Sequence, residues 1–453
     1  MAYLFNTDRE RQAMLRTIGA GSIGEILEQI PAALQLRRPL DLPPPLTELD
    51  LERQLRALAA ENVGVGSRVC FLGGGAYDHY IPAVVDEITG RGEFYTAYTP
   101  YQAEASQGSL QAFFEYQSLI CELTGMDVSN ASLYDGASAV AEAVLMSLRT
   151  TDRVSKVVIS AAVHPEYLQV VQTYVSHLGC DVVVVPITDG VTDLAKLAAV
   201  VDDRTAAVVA ASPNFFGCLE DVAAISELAH KHGAMSVQIF DPISLGLVRR
   251  PGDLGVDIAV AEGQPLGIPL QFGGPYLGIL ACREEFVRKL PGRLIGQTVD
   301  RLGRTCYVLN LQAREQHIRR DKATSNICTN QGLMALRATV YMSLLGPQGL
   351  REVATACCQL AHYAHDQLLK VPGVSALGTR PFFKEFGVRA AGGAERAMAR
   401  AAKAGLDVGP ALSRFPRIAG LSADEQSQGL LVAVTECRSR DDIDRLCRAL
   451  AAS

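Results

Sequence analysis

Val237-Gln-Ile-Phe-Asp241 is a short apolar run that ends on a carboxylate, and it is one of five runs of its kind. Val157-Val-Ile-Ser160, Val182-Val-Val-Val-Pro186, Ala206-Ala-Val-Val-Ala-Ala211 and Ile258-Ala-Val-Ala261 are the others. Their β-branched, almost wholly apolar composition suits strands buried on both faces. Helical patterns separate them: Ser109–Thr124 closed by Gly125, Ser138–Leu148, and Ala224–His232 closed by Gly233. Strands alternating with helices predict an α/β fold, a mostly parallel sheet with helices on both faces. Sites in such sheets lie beyond the carboxyl ends of the strands, which places Asp241 at one.

Outward from that centre, residues 1–65 read as an N-terminal helical arm. Asp8–Leu15, Ser22–Gln29 and Glu48–Glu61 are helical patterns joined through the stiff Leu42-Pro-Pro-Pro-Leu46. The arm has too little apolar surface to fold alone and is expected to lie across a neighbouring lobe or subunit. Residues 66–325 form the expected large α/β domain, and residues 326–453 a small α+β domain. In the latter, Leu333–Ser343, Arg351–Leu369, Gly393–Ala404 and Arg440–Ala451 read as helices, and Phe386–Arg389 and Leu430–Val434 as strands.

Bulk properties restrict the function. With 453 residues, 48% hydrophobic and 20% charged, the chain has the composition of a large-cored α/β protein. A net charge of −7 argues against general nucleic-acid binding, and no run of eighteen apolar residues predicts a membrane span. Met1 to Asp8 has neither a basic nor an apolar leader region, so a cytoplasmic location is expected. The eleven cysteines show no metal-ligand spacing and read as reduced, mostly buried thiols; no metal is expected.

Against that acidic background, Arg314, His317, Arg319, Arg320 and Lys322 fall within nine residues, followed by Ala323-Thr-Ser-Asn-Ile-Cys-Thr329. Cations beside hydroxyl and amide donors, Asn326 among them, suit an anion site, a partner interface or a solvated helix face. Phe94-Tyr-Thr-Ala-Tyr-Thr-Pro-Tyr-Gln102 is aromatic, polar and without period, as pocket-lining loops are.

These stretches, with Asn130-Ala-Ser-Leu-Tyr-Asp-Gly-Ala-Ser138, Pro213-Asn-Phe-Phe-Gly217 and Phe272-Gly-Gly-Pro-Tyr-Leu-Gly278, give the chain its resemblance to a family. It resembles the glycine cleavage system P-protein, and within it the subunit that lacks the cofactor lysine. The resemblance spans nearly the whole chain and implies the fold-type I architecture of pyridoxal phosphate enzymes. It also implies a glycine-decarboxylating enzyme that passes the aminomethyl group to the lipoyl arm of H-protein. Pyridoxal phosphate would be held covalently by a lysine-bearing partner, subunit 2, in a 2+2 heterotetramer.

Such enzymes need an imine-forming lysine, a carboxylate for the pyridine nitrogen and a helix start for the phosphate. Asp241 and the helix opening at Gly136, Ala137 and Ser138 are present, although Asp and Ser there also read as plain N-caps. His164 and Asn214 complete the candidate vestigial pocket, read respectively as a satisfied structural histidine and a turn brace. Gly217 suggests a special backbone turn. Gly273 and Gly274 suggest close backbone approach, through packing in preference to a partner's phosphate. The resemblance aligns Gln264 with the lysine, and an amide cannot form an imine. No catalytic residue is therefore assigned to this chain. Tyr95, Tyr98, Tyr101, Gln102, His317, Arg319, Lys322 and Asn326 are expected to face the partner's site. Two alternatives stand: a self-sufficient lyase using Lys231 or Lys322, and a non-catalytic scaffold or regulatory subunit.

Overall fold

A computed structural model describes residues 5–323 and 325–451. The chain forms two compact units, Met1–Val63 and Gly64–Ser453. In the first, Thr7 caps the helix Asp8–Ile18 through a reciprocal pairing with Glu10, and Thr47 caps Glu48–Ala60. Apolar side chains at Ile18, Leu36, Leu55 and Leu58 are exposed.

The second unit is built on a seven-stranded sheet. Its order is Val128–Ser129, Gly278–Cys282, Ile258–Glu262, Met235–Phe240, Thr205–Ala211, Lys156–Ser160 and Asp181–Val185. The last five are mutually parallel, and all five were legible as apolar runs. Gly278–Cys282 runs antiparallel between its neighbours and was not foreseen, because its glycine-led start lacks the β-branched signature. Helices Gln107–Thr124, Gly136–Thr151, Pro165–Val175 and Val222–Lys231 intervene, and Gly136–Thr151 buries twelve of its residues against the sheet and its neighbours.

Beyond the sheet, Leu294–Val299 and Thr305–Asn310 pair as an antiparallel ribbon. The expected helices 333–343 and 351–369 are two arms of one element, Gly332–Leu368, broken at Gly346. Pro347 offers no N–H and cannot continue the ladder, while Gly346 takes the non-helical φ of 59° that the break requires.

In the C-terminal layer Val374–Ala376, Glu385–Ala390 and Gly429–Ala433 form an antiparallel sheet, packed with helices Ala394–Lys403 and Arg440–Ala451. The split between the two units falls within two residues of the boundary expected near residue 66. Val69–Leu72 pairs in parallel with Leu406–Gly409, so the start of the stretch assigned to the large domain belongs to the C-terminal layer. Phe71 is fully buried in that layer's core, which is why the strand pairs there. Among the described residues no helix is long and apolar enough to cross a membrane.

Candidate functional site

At the carboxyl ends of the parallel strands the candidate pocket is built and already filled by the chain itself. Asp241 directly follows Met235–Phe240, and its Oδ1 accepts from the Ile243 and Ser244 amides at 2.8 and 3.1 Å. Its Oδ2 lies 2.6 Å from Lys384 Nζ. Lys384 enters from the start of the C-terminal strand Glu385–Ala390, is 1% exposed, and stands 3.9 Å over the Tyr77 ring. An ammonium thus occupies the place that a protonated pyridine nitrogen would take against Asp241.

The helix start is occupied in the complementary sense. Glu262 is the last residue of Ile258–Glu262, and its carboxylate accepts from Gly136 N, Gln264 N and Leu277 N at 2.9, 2.9 and 3.0 Å. The anion that such a helix end attracts is therefore supplied internally. Burial pushes Glu262 up to about 7, against the pull of the three amides. Glu385 is likewise pushed by burial to about 7, while the Tyr77 hydroxyl and the Gly74 amide bond its two oxygens at 2.7 Å each.

Gln264 is buried and its amide is fully used. It accepts from Tyr77 N at 2.8 Å and donates to Tyr77 O and Ile268 O at 2.9 and 2.8 Å. The residual cavity, bordered by His164, Asn214, Asp241 and Glu262, measures about 70 Å³. Cofactor sites run to about 300–1,000 Å³. With an amide at Gln264, which the resemblance aligns with the cofactor lysine, and both charged contacts already taken, these residues do not fit pyridoxal phosphate on this chain.

The charge network extends outward. Lys384 Nζ is 2.9 Å from His79 Nε2, and His79 Nδ1 is 2.8 Å from Glu436 Oε2. Burial, then the Lys384 charge, holds His79 below the usual histidine range, against the pull of Glu436. Lys384 donates to Nε2, which leaves the ring proton on Nδ1 for Glu436. Cys357 donates to the same carboxylate at 3.2 Å. His79, Cys357 and Glu436 place ligand-type atoms within 4.8 Å of one another, but the tautomer imposed by Lys384 leaves Nδ1 no free lone pair for a cation.

The other sequence-derived candidates divide in two. Ser138 N is capped by Asp135 at 2.8 Å, the plain N-cap reading. His164 begins the helix Pro165–Val175, bonds Gly74 O at 2.8 Å and stacks on Tyr167, a satisfied structural histidine. Asn214 braces its turn by bonding Gly190, Glu220, Phe216 and Cys218. Gly217 has φ 79°, and a Cβ there would lie 1.6 Å from the Glu385 carbonyl oxygen, so only glycine lets the two segments approach. The packing expectation for Gly273 is corrected: a Cβ would meet nothing within 4 Å, and φ of 90° alone explains the glycine.

The second group faces outward. Tyr98 is 90% exposed, Tyr95, Tyr101 and Gln102 are exposed, and Tyr95 and Tyr98 form one wall of a pocket of about 270 Å³. Thr329, Asn330 and Phe113 form other walls. His317, Arg319, Lys322 and Asn326 are exposed, whereas Arg314 turns inward to Leu311 O and Gly292 O. Among the described residues Arg319, Arg320 and Lys322 have no intrachain ion-pair partner, which separates them from an ordinary salt-bridged helix face.

Sequence reasoning missed Lys384, Glu262 and Arg293. The signal for Lys384 was a charged pair, Lys384-Glu385, set inside the apolar run Phe382-Phe383 … Phe386-Gly-Val388.

Comparison with known proteins identifies the family. The family described as Glycine cleavage system P-protein matches residues 1–450. A protein of Desulforamulus reducens named probable glycine dehydrogenase (decarboxylating) subunit 1 is 49% identical over the whole of both chains. One of the same name from Prosthecochloris aestuarii is 50% identical, again over the whole of both. A crystal structure of glycine decarboxylase, the P-protein of the glycine cleavage system in inhibitor-bound form, superposes with a TM-score of 0.90 at 44% identity. That match covers 100% of this chain and 99% of the other. A cysteine desulfurase from Escherichia coli, at 16% identity and a TM-score of 0.63 over 85% of this chain and 94% of its own, shares the fold alone. The architecture is the fold-type I arrangement of pyridoxal phosphate enzymes, and the chain belongs to the glycine cleavage system P-protein family.

Proposed function

We propose that this chain is the subunit of a heteromeric glycine dehydrogenase (decarboxylating) that completes a cofactor site held by its partner. One observation carries the reading: Lys384 and Glu262 fill the pocket's two charged contacts, at Asp241 and at the helix start, beside Gln264, which the resemblance aligns with the cofactor lysine. Relatives alike over their full length carry the name subunit 1, which supports a second, lysine-bearing subunit in a 2+2 assembly. Pyridoxal phosphate, bound covalently on that partner, supplies the electron sink for loss of the glycine carboxylate.

This chain's contribution is binding and exclusion of water. Tyr95, Tyr98, Tyr101 and Gln102 present an aromatic, hydrogen-bonding surface to the partner's site. His317, Arg319, Lys322 and Asn326 supply cations and donors for an anion: the glycine carboxylate, the partner's cofactor phosphate or the acidic surface of the lipoyl H-protein. The aminomethyl group passes to that lipoyl arm. Eleven free cysteines suit a reducing compartment such as the cytoplasm.

Glycine–bicarbonate exchange by the lysine-bearing subunit, measured with and without this chain, tests the reading. Exchange that depends on the chain supports it, and a full rate from the partner alone refutes it. A scaffold role is favoured instead if Tyr98→Ala leaves turnover of the assembled enzyme unchanged.

A further inference from the structure

The two walls of the outward-facing pocket come from distant parts of the chain, and one buried side chain ties them together. Arg293, 3% exposed, sits just before the ribbon strand Leu294–Val299. Its Nη1 donates to Thr329 Oγ1 at 2.8 Å and to Asn330 Oδ1 at 3.1 Å. Nη2 donates to Cys328 O at 3.0 Å and reaches the Tyr101 hydroxyl at 3.4 Å. The guanidinium also lies 5.6 Å from the centre of the Tyr101 ring. Thr329 and Asn330 line the pocket on one side, and the loop ending at Tyr101 lines it on the other.

A second path closes the circle. Arg293 Nε has no hydrogen-bond partner among the described residues and lies 4.0 Å from Glu315 Oε2. The same carboxylate oxygen is 3.5 Å from His317 Nδ1, and the His317 ring packs edge-on against Tyr101 at 5.8 Å. Arg293, Glu315, His317 and Tyr101 therefore form a ring of contacts joining the basic segment to the aromatic loop.

We infer that Arg293 is a positioning residue, which fixes the Tyr101 loop and the Thr329–Asn330 segment as one rigid surface of the shared active site. The role suits arginine in particular. A planar fork serves several acceptors at fixed angles, whereas a lysine ammonium is one point charge and reaches only part of the set. The inference rests on the reading above that this pocket faces the partner's site.

The test uses the reconstituted two-subunit enzyme with Arg293→Lys, Tyr101→Phe and the double variant. Subunit stoichiometry, thermal midpoint, and kcat and KM for glycine in the exchange assay are measured for each. Arg293→Lys is expected to lower kcat/KM about tenfold or more with assembly retained, and Tyr101→Phe about two- to fivefold. The double variant should fall no further than Arg293→Lys, since both changes break one network. Full activity in Arg293→Lys, or losses that multiply in the double variant, overturns the inference. Should Arg293→Lys not assemble, Tyr101→Phe decides alone, and an unchanged kcat/KM there overturns it. The two readings fail separately: exchange by the partner alone removes the shared site, whereas loss on Tyr98→Ala without loss on Arg293→Lys removes only the role of Arg293.

Discussion

Lys384 Nζ stands 2.6 Å from Asp241 Oδ2, a buried ion pair between the C-terminal layer and the end of a central strand. Tyr77 and His79 contact the same ammonium, so the pair is solvated by the protein and not by water. Desolvation makes such pairs poor sources of net stability but expensive to break on one side.

Lys384→Met should therefore destabilise the chain by about 3–5 kcal/mol, because Asp241 remains as an uncompensated buried charge. Adding Asp241→Asn should recover most of that loss. Urea unfolding of the two single variants and the double variant measures it; additive losses contradict the pairing.

Restoring the amine alone should not restore cofactor binding. Gln264→Lys, titrated with pyridoxal phosphate, is expected to stay colourless, since Lys384 and Glu262 still hold both ends of the pocket. A visible absorption band from the single variant would show that the site is open.

Glu142 gives a pH prediction. It lies 1% exposed in the helix Gly136–Thr151. Burial pushes it from 4.5 to about 7, with Ser325 and then Arg149 pulling back. A raised carboxyl binds its proton more tightly when folded, so this group lowers stability progressively as pH rises from about 4.5 to 7. Glu142→Met should match the parent near pH 4.5 and exceed it by about 3 kcal/mol at pH 8. Denaturant unfolding at the two values checks it, and a pH-independent difference contradicts the assignment.

Tyr98, at 90% exposure, makes no contribution to the core. Tyr98→Ala should leave the thermal midpoint of the isolated chain within about 1 °C while lowering kcat/KM of the assembled enzyme about tenfold. An equal loss of stability would return Tyr98 to a structural role.

How much of this was legible beforehand follows from where the signal resides. Val157, Val182, Ala206, Val237 and Ile258 begin runs whose composition alone marks buried parallel strands, and the structure places a strand at each. Gly278–Cys282 and the Leu294–Asn310 ribbon escaped because antiparallel strands beside glycines lack that continuous pattern. Gln264 stood out because the resemblance aligns it with a chemically required lysine. Lys384 was not, since it lies 143 residues along the chain from Asp241 and only the tertiary fold joins them. Arg293 looked like an isolated charge in Leu290-Pro-Gly-Arg-Leu-Ile295, and its acceptors come from two separate segments, Cys328–Asn330 and Tyr101.

Borohydride reduction of the assembled, cofactor-loaded enzyme, followed by mass spectrometry of both polypeptides, locates the imine directly. The pyridoxyl mass is expected on the partner alone, with Lys231, Lys322 and Lys384 of this chain unmodified. Stoichiometric labelling of any of these three lysines would contradict the account.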